Sequence, residues 1–452
     1  MIVQKFGGTS VADPAAVQRL IAIARSGRTN GRGPVVVVSA LSGVTDVLLT
    51  IAAEAGASQT ANALAHVDRL RERHVAMVQA LVADGDRGEL TRQIEAQFTE
   101  LSAVVQALAV LREVSVRTLD VIAAMGELLS SRIVAAALVR AGLPGEWVDA
   151  RRAVVTNDDH TRAVPRMRET TAAMRAVVTP IVDAGRIPVL GGFVGATAEG
   201  ITTTLGRGGS DYSGAIVGAA AGAAEIQIWT DVDGMLTADP RLIPQSKLVP
   251  HLSFAEAAEL AYFGAKVLHP STIHPAVERN IPVRILNSRK PDGQGTLITA
   301  EPDPRAGPLT AMAAKRDLTV VDITSSRMLM AYGFLRQVFE VFERFQTAVD
   351  VVTTSEVSVS VTVDNRRHLD AIVEALSECG EVSVEPEMAL LCAVGDRLRA
   401  DPAIAARVVR VLEEVPLRMI SQAASRRNIT VIMRQADLPH AMHRLHEEFF
   451  QG

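Results

Sequence analysis

Three stretches of the chain carry residue types that can do chemistry together. The first is Lys5, followed by Gly7, Gly8 and Thr9 in KFGGTSV. The second is TTTLGRGGSDYS, residues 202–213, where Gly206, Gly208 and Gly209 are interrupted by Arg207 and followed by Ser210 and Asp211. The third is TDVDGMLTADPR, residues 230–241. Glycines ahead of a helix let backbone N–H groups converge on an anion, and the helix dipole favours negative charge there. Arg207 adds a permanent cation suited to phosphate or carboxylate. The plainer alternative is a tight turn with Ser210 or Asp211 as the helix N-cap. The sequence contains no GxxxxGK[ST] loop and no full GxGxxG after a strand, so phosphate has to be neutralised another way. Lys5 can act as a movable point charge while glycine backbone admits the ligand. Asp211 would orient lysine, or help to hold Mg2+ among phosphate oxygens. Phosphoryl transfer demands chiefly positioning and charge compensation, which this set can supply.

These residues need elements to position them. Residues 2–6, 34–40, 188–194, 226–230 and 282–286 read as short strands. The run PVVVVSA has the continuous branched character of a strand buried in a parallel sheet. Strand, glycine loop, helix and strand over 188–230 form a right-handed crossover unit. In such sheets ligands collect beyond the carboxyl ends of the strands, where Ser39 and Thr45 also fall. Residues 50–139 are rich in Ala, Leu, Glu and Arg and read as a helical insertion. Near its end Glu127 follows Gly126, either as a first-turn charge favoured by the helix dipole or as a ligand group. Asp231, Asp233 and Asp239 sit in turn chemistry. The Pro-, Gly- and Asp-rich stretch 290–308 marks a domain boundary. Beyond it VSVSVTV alternates as a half-buried antiparallel strand does, and Phe334, Val338, Phe342 and Phe345 form a helical stripe. A similar order recurs about 70 residues later, as in two tandem βαββαβ-like modules.

At 452 residues the chain is long enough for two or three domains. A formal net charge of −5 argues against a nucleic-acid partner. Two cysteines, Cys379 and Cys392, lack metal or disulfide spacing. A strand starting at residue 2 leaves no room for a signal peptide, and the longest apolar run, 213–224, is too short to span a bilayer. The expectation is a cytoplasmic protein with no membrane segment.

KFGGTSV at 5–11, TTTLGRGGSDYS at 202–213, WTDVDGMLTADPR at 229–241 and FGAKVLHP at 263–270 together resemble the aspartokinases, in order and over essentially the whole chain. The resemblance implies an α/β amino-acid-kinase fold, a mostly parallel sheet between helices, over residues 1–300. Two α+β ACT domains would follow at 309–385 and 386–452, with interdigitation of the two left open. It implies ATP- and Mg2+-dependent phosphorylation of the aspartate side-chain carboxylate. Lys5 matches the lysine that stabilises the transferred phosphoryl group, and Asp211 the aspartate that organises it. Gly7, Gly8 and Thr9 match the phosphate-approaching loop, and Thr230, Asp231, Arg241 and Lys266 the nucleotide side. Ser39 and Thr45 match positions near the substrate, Glu127 the acid for its amino group, and Arg207 the arginine for its carboxylate. The helical insertion and residues 349–361 look most like the lysine-sensitive monofunctional branch. On that likeness Phe334, Leu335, Asp350, Thr354, Ser355 and Glu356 line an effector pocket, lysine being favoured over threonine. The His-Ser pair usual in the branch is replaced by Met330-Ala331, which removes a hydroxyl contact. A homodimer, or dimer of dimers, through the ACT domains is the implied assembly. The alternatives are a catalytically silent amino-acid sensor and a kinase of another amino acid.

Overall fold

A computed structural model describes residues 1–28, 32–206, 208–264, 270–304, 307–328, 332–398, 400–422 and 425–451. The chain divides into two compact units, Met1–Met235 with Leu268–Glu301, and Leu236–Val267 with Pro302–Gly452. The first begins with β1 (Ile2–Phe6), α1 (Pro14–Ser26), β2 (Val35–Val38), α2 (Val44–Gly56), α3 (Thr60–Leu81), α4 (Asp84–Leu111) and α5 (Val116–Arg140). It continues with β3 (Gly145–Val148), α6 (Met167–Val177), α7 (Thr179–Asp183), β4 (Ile187–Gly191), β5 (Val194–Ala196), β6 (Thr202–Thr204), α8 (Gly209–Ala221) and β7 (Glu225–Thr230). The chain then enters the second unit with β8 (His251–Ser253) and α9 (Phe254–Tyr262), and returns with α10 (His274–Glu278), β9 (Val283–Asn287) and β10 (Thr296–Thr299).

Within the first unit the sheet order is β3-β4-β2-β1-β7-β9-β10. All neighbours are parallel except β10, which runs antiparallel to β9. The four valines of β2 are fully buried, as a central parallel strand covered on both faces requires. The helical insertion is borne out as α2 to α5. Its apolar stripes join the sheet's own residues, Phe6, Val36 and Val38 among them, in one core. Two of these helices, α4 and α5, are as long and apolar as a membrane span. Most of α5 is nevertheless sheathed in protein, and α4 turns Leu90, Ile94, Phe98, Leu101, Val105 and Leu108 into the core. The glycine pair at 191–192 ends β4 and separates it from β5, where the sequence reads one strand over 188–194.

The second unit continues with β11 (Ala311–Thr324), α11 (Phe334–Arg344), β12 (Val352–Thr354), β13 (Ser358–Val363), α12 (Leu369–Ser377), β14 (Glu381–Val394), α13 (Pro402–Val411), β15 (Leu417–Ser421), β16 (Asn428–Arg434) and α14 (Leu438–Phe450). Strands β11 to β16 form one antiparallel sheet, β12-β13-β11-β14-β16-β15. The central strands β11 and β14 are 14 residues each and pair along most of their length. One end of the sheet carries a core of Val321, Val338, Phe342, Val361 and Ile372, the other a core of Leu391, Ile404, Val431 and Met442. The position 385/386 lies inside β14, so one strand serves both halves.

Candidate active site

The carboxyl ends of β1, β2, β4 and β7 are adjacent, and each leads into a turn. Backbone bonds stitch these ends sideways: Gly7 N to Trp229 O (3.0 Å), Ser39 N to Phe6 O (3.1 Å), Gly192 N to Val38 O (2.8 Å) and Ser288 N to Thr230 O (2.8 Å). Small residues allow the approach. A Cβ on Gly8 would meet Ala40 O at 3.2 Å. Thr9 stands half-buried in the turn Gly8–Ser10. Ser10 Oγ donates to Ser288 Oγ at 2.8 Å, and Ser288 Oγ donates to Thr230 O at 3.0 Å, linking the first loop to the end of β7. Neither serine emerges from the sequence as a site residue, although Ser10 lies inside KFGGTSV.

Lys5 lies within β1, between Val37 of β2 and Ile228 of β7, and is 6% exposed. Its Nζ is 2.5 Å from Asp211 Oδ1. Asp211 sits in the first turn of α8, whose N-cap is Gly208 in the left-handed conformation (φ +71°) without a side-chain cap. The alternative of Ser210 or Asp211 as N-cap therefore falls away, leaving the Asp211 carboxylate for the lysine. Gly214 completes the arrangement: a Cβ there would meet Lys5 Cβ at 3.0 Å, so its absence lets α8 lie against the lysine stem.

Glu127 is in the middle of α5, not in a first turn; the helix starts at Val116, capped by Ser115 Oγ. Gly126 is small because α5 packs closely there, a Cβ meeting Ala40 Cβ at 2.8 Å. The Glu127 side chain is 2% exposed and its Oε2 has no hydrogen-bond partner. Burial pushes its carboxyl up to about 8, against the opposing pull of the Ala40 and Glu127 backbone N–H groups and the Lys5 ammonium. A buried carboxyl with an unused oxygen is suited to an incoming cation. Ser130 Oγ donates to Ser39 O at 2.7 Å and ties α5 to the end of β2. Thr45, in the first turn of α2, is half-buried, as is Ser39.

On the other flank, Thr230 ends β7 and its Oγ1 donates to Asp231 Oδ1 at 3.3 Å. Asp233 accepts from Asn287 Nδ2 (2.6 Å) and Lys290 Nζ (2.7 Å), bonds that hold its carboxyl below the usual range. Arg241, in the second unit, forks onto Asp239 of its own turn (Nε–Oδ1 3.0 Å, Nη2–Oδ2 2.6 Å). Arg207 and Lys266 lie outside the described residues.

Residues 1–287 match the model of the amino acid kinase family, and residues 391–449 that of an ACT domain. The chain is 37% identical to the chloroplastic aspartokinase 3 of Arabidopsis thaliana, over 99% of its own length and 81% of that protein's. The chain belongs to the aspartokinases. It is also 34% identical to the lysine-sensitive aspartokinase 3 of Escherichia coli, over 100% of this chain and 99% of that one. Among solved aspartokinases, E. coli aspartokinase III with lysine and aspartate (T-state) superposes with a TM-score of 0.84 at 34% identity, covering 100% and 99% of the two chains. The same enzyme with aspartate and ADP (R-state) gives 0.81 at 33%, covering 99% of each.

The residues expected at an aspartokinase effector pocket are distributed along one end of the second unit's sheet. Phe334 is buried in the core with Val321, Val338 and Val359, as its helical stripe requires, whereas Leu335 is 40% exposed. The Asp350 carboxylate already has a cation: Lys315 Nζ lies 2.9 Å from both its oxygens and 2.7 Å from Asp364 Oδ2. Thr354 ends β12. Ser355 closes the turn into β13, with its N donating to Ser358 O at 2.8 Å and its Oγ 2.7 Å from Ser358 Oγ, and Glu356 is exposed on that turn. Met330 and Ala331 lie outside the described residues.

Proposed function

We propose that this aspartokinase uses the strand-end site to transfer the γ-phosphoryl group of ATP to the side-chain carboxylate of L-aspartate, giving ADP and 4-phospho-L-aspartate. The observation that carries the reading is the pairing of opposite devices at one site. A lysine is anchored by Asp211 beside Gly7, and a buried carboxyl, Glu127, has an oxygen free for an ammonium. The substrate carboxylate is the nucleophile: its oxygen bonds to the γ-phosphorus while the bond to the β–γ bridging oxygen breaks, so no enzyme nucleophile is needed. Lys5 compensates charge on the transferring group, Gly7, Gly8 and Thr9 leave room for phosphates, and Thr230 and Asp231 border the nucleotide. Arg241 and Lys266 are assigned to the nucleotide on the family likeness. Arg207 takes a substrate carboxylate and Glu127 the ammonium, with Ser39 and Thr45 beside them.

Mg2+ would be carried here mainly by phosphate oxygens and water, with Asp211 helping to hold it, which is the usual habit of a hard, reluctantly dehydrated cation. Among the described residues no group of three His, Cys, Asp or Glu side chains is gathered to hold a metal. Bound there, it would neutralise phosphate charge.

The second unit is assigned to feedback control by lysine, in a cytoplasmic homodimer or dimer of dimers built through the ACT modules. A coupled assay of ADP release with aspartate, glutamate and no acceptor tests the activity: turnover independent of aspartate overturns it. Millimolar lysine inhibiting more than threonine supports the effector; equal indifference to both removes it.

A further inference from the structure

A second acid on α5 has no part in the reaction described above. Asp120 is fully buried and lies seven residues before Glu127, on the same helix face two turns away. Its carboxylate is saturated. Oδ1 accepts from Thr204 Oγ1 at 2.5 Å and Thr161 N at 3.0 Å, and Oδ2 accepts from His160 Nδ1 at 2.6 Å. Thr161 is a branched residue at φ +70°, a conformation that persists only where its surroundings hold it, and such outliers gather at functional sites. The Thr161 carbonyl oxygen abuts Gly206, where a Cβ would meet it at 3.1 Å and where φ is +76°. The Thr204 carbonyl accepts from Ala163 N at 2.8 Å, closing the loop onto β6. One buried carboxylate thus holds both the strand that enters the glycine loop and the backbone oxygen that packs on Gly206, immediately before Arg207.

The geometry points to Asp120 as a positioning residue for substrate selection: from α5, the helix that carries Glu127, it fixes where the chain enters the loop bearing Arg207. The inference rests on the proposed reading of Glu127 and Arg207 as the two substrate contacts. Misplacing one of two convergent contacts weakens the ligand that needs both, and leaves a ligand bound elsewhere unaffected.

Thr204→Val in the full chain removes one arm with little change of shape. It is expected to raise the KM for aspartate about tenfold while the KM for ATP stays within about twofold, and Thr204→Ser, which keeps the hydroxyl, restores the wild-type value. Asp120→Asn, which keeps an acceptor for Thr204 and Thr161, should fall between the wild type and Asp120→Ala. If Asp120→Ala does not fold, the two Thr204 variants decide. An unchanged aspartate KM in Thr204→Val, equal rises in both KM values, or no rescue by serine overturns the positioning role. Wild-type turnover is measured first: no aspartate-dependent ADP release defeats the reading of the site, whereas normal turnover with indifferent variants defeats the role of Asp120 alone.

Discussion

The main-chain oxygen of Glu127 lies 2.9 Å from where a Cβ on Gly191 would be, with the Glu127 carbonyl carbon at 3.1 Å. Both are backbone atoms of a long helix, so neither can swing aside. Gly191→Ala must push α5 off the end of β4, costing about 1–3 kcal/mol as overpacking generally does. The expected outcome is a lower denaturant midpoint together with a raised KM for aspartate. A variant as stable as the wild type would show that the helix can retreat.

On the proposed reading of Glu127 as the contact for the substrate ammonium, aspartate binding depends on pH. Its carboxyl titrates near 8 in the folded chain against a reference of 4.5, so between those values the empty enzyme holds a proton that an ammonium ligand must expel. Aspartate should bind more tightly as pH rises towards 8 and release close to one proton per molecule at neutral pH. Calorimetry in buffers of different ionisation enthalpy measures that release, and Glu127→Gln should abolish it.

The same carboxyl has the opposite influence on the empty fold. Because its folded value is raised, its contribution is favourable at low pH and is lost as pH climbs from about 4.5 through about 8. Glu127→Gln carries no such titration. Its thermal midpoint relative to wild type should therefore improve between pH 5 and pH 8, and a flat difference would remove the assignment.

Lys5→Met keeps the stem that packs beside Gly214 and removes only the charge. Loss of one preorganised charge-stabilising group commonly costs about 10²–10³ in kcat. A fall of at least that size is expected, with the circular dichroism spectrum unchanged. Near-normal kcat would take Lys5 out of the transfer step.

Lys315 bridges two carboxylates, Asp350 and Asp364. Burial lifts the Asp350 carboxyl, Lys315 pulls it down, and Asp364 adds to the rise. Lys315→Met should lose about 1–3 kcal/mol at neutral pH, less than a wholly buried pair would. The loss should shrink as pH falls and Asp350 takes up a proton. Denaturant midpoints at several pH values measure it, and a pH-independent loss would mean that packing dominates.

The strand ends were legible because buried parallel strands and glycine turns leave local marks, and Lys5 and Asp211 each stand inside such a mark although 206 positions separate them. Glu127 was legible as an acid among small residues, but not its place in the helix: Gly126 reads as a start signal, and only tertiary packing on Ala40 shows it to be a point of close approach. Asp120 was invisible, since a single acid in an Ala- and Arg-containing helix has the signature of a solvated face. The alternation in VSVSVTV announced a strand without naming its neighbours, so the sharing of β14 had to await the sheet.

That shared strand decides how the regulatory half can be inherited. Each small module owns its helices, yet its sheet is complete only while β11 and β14 lie side by side, so a cut at residue 385 leaves two frayed edges and no finished domain. A gene that separated the catalytic and regulatory parts would have to keep both long strands on one polypeptide. A duplication or exchange of modules would likewise have to move the pair together.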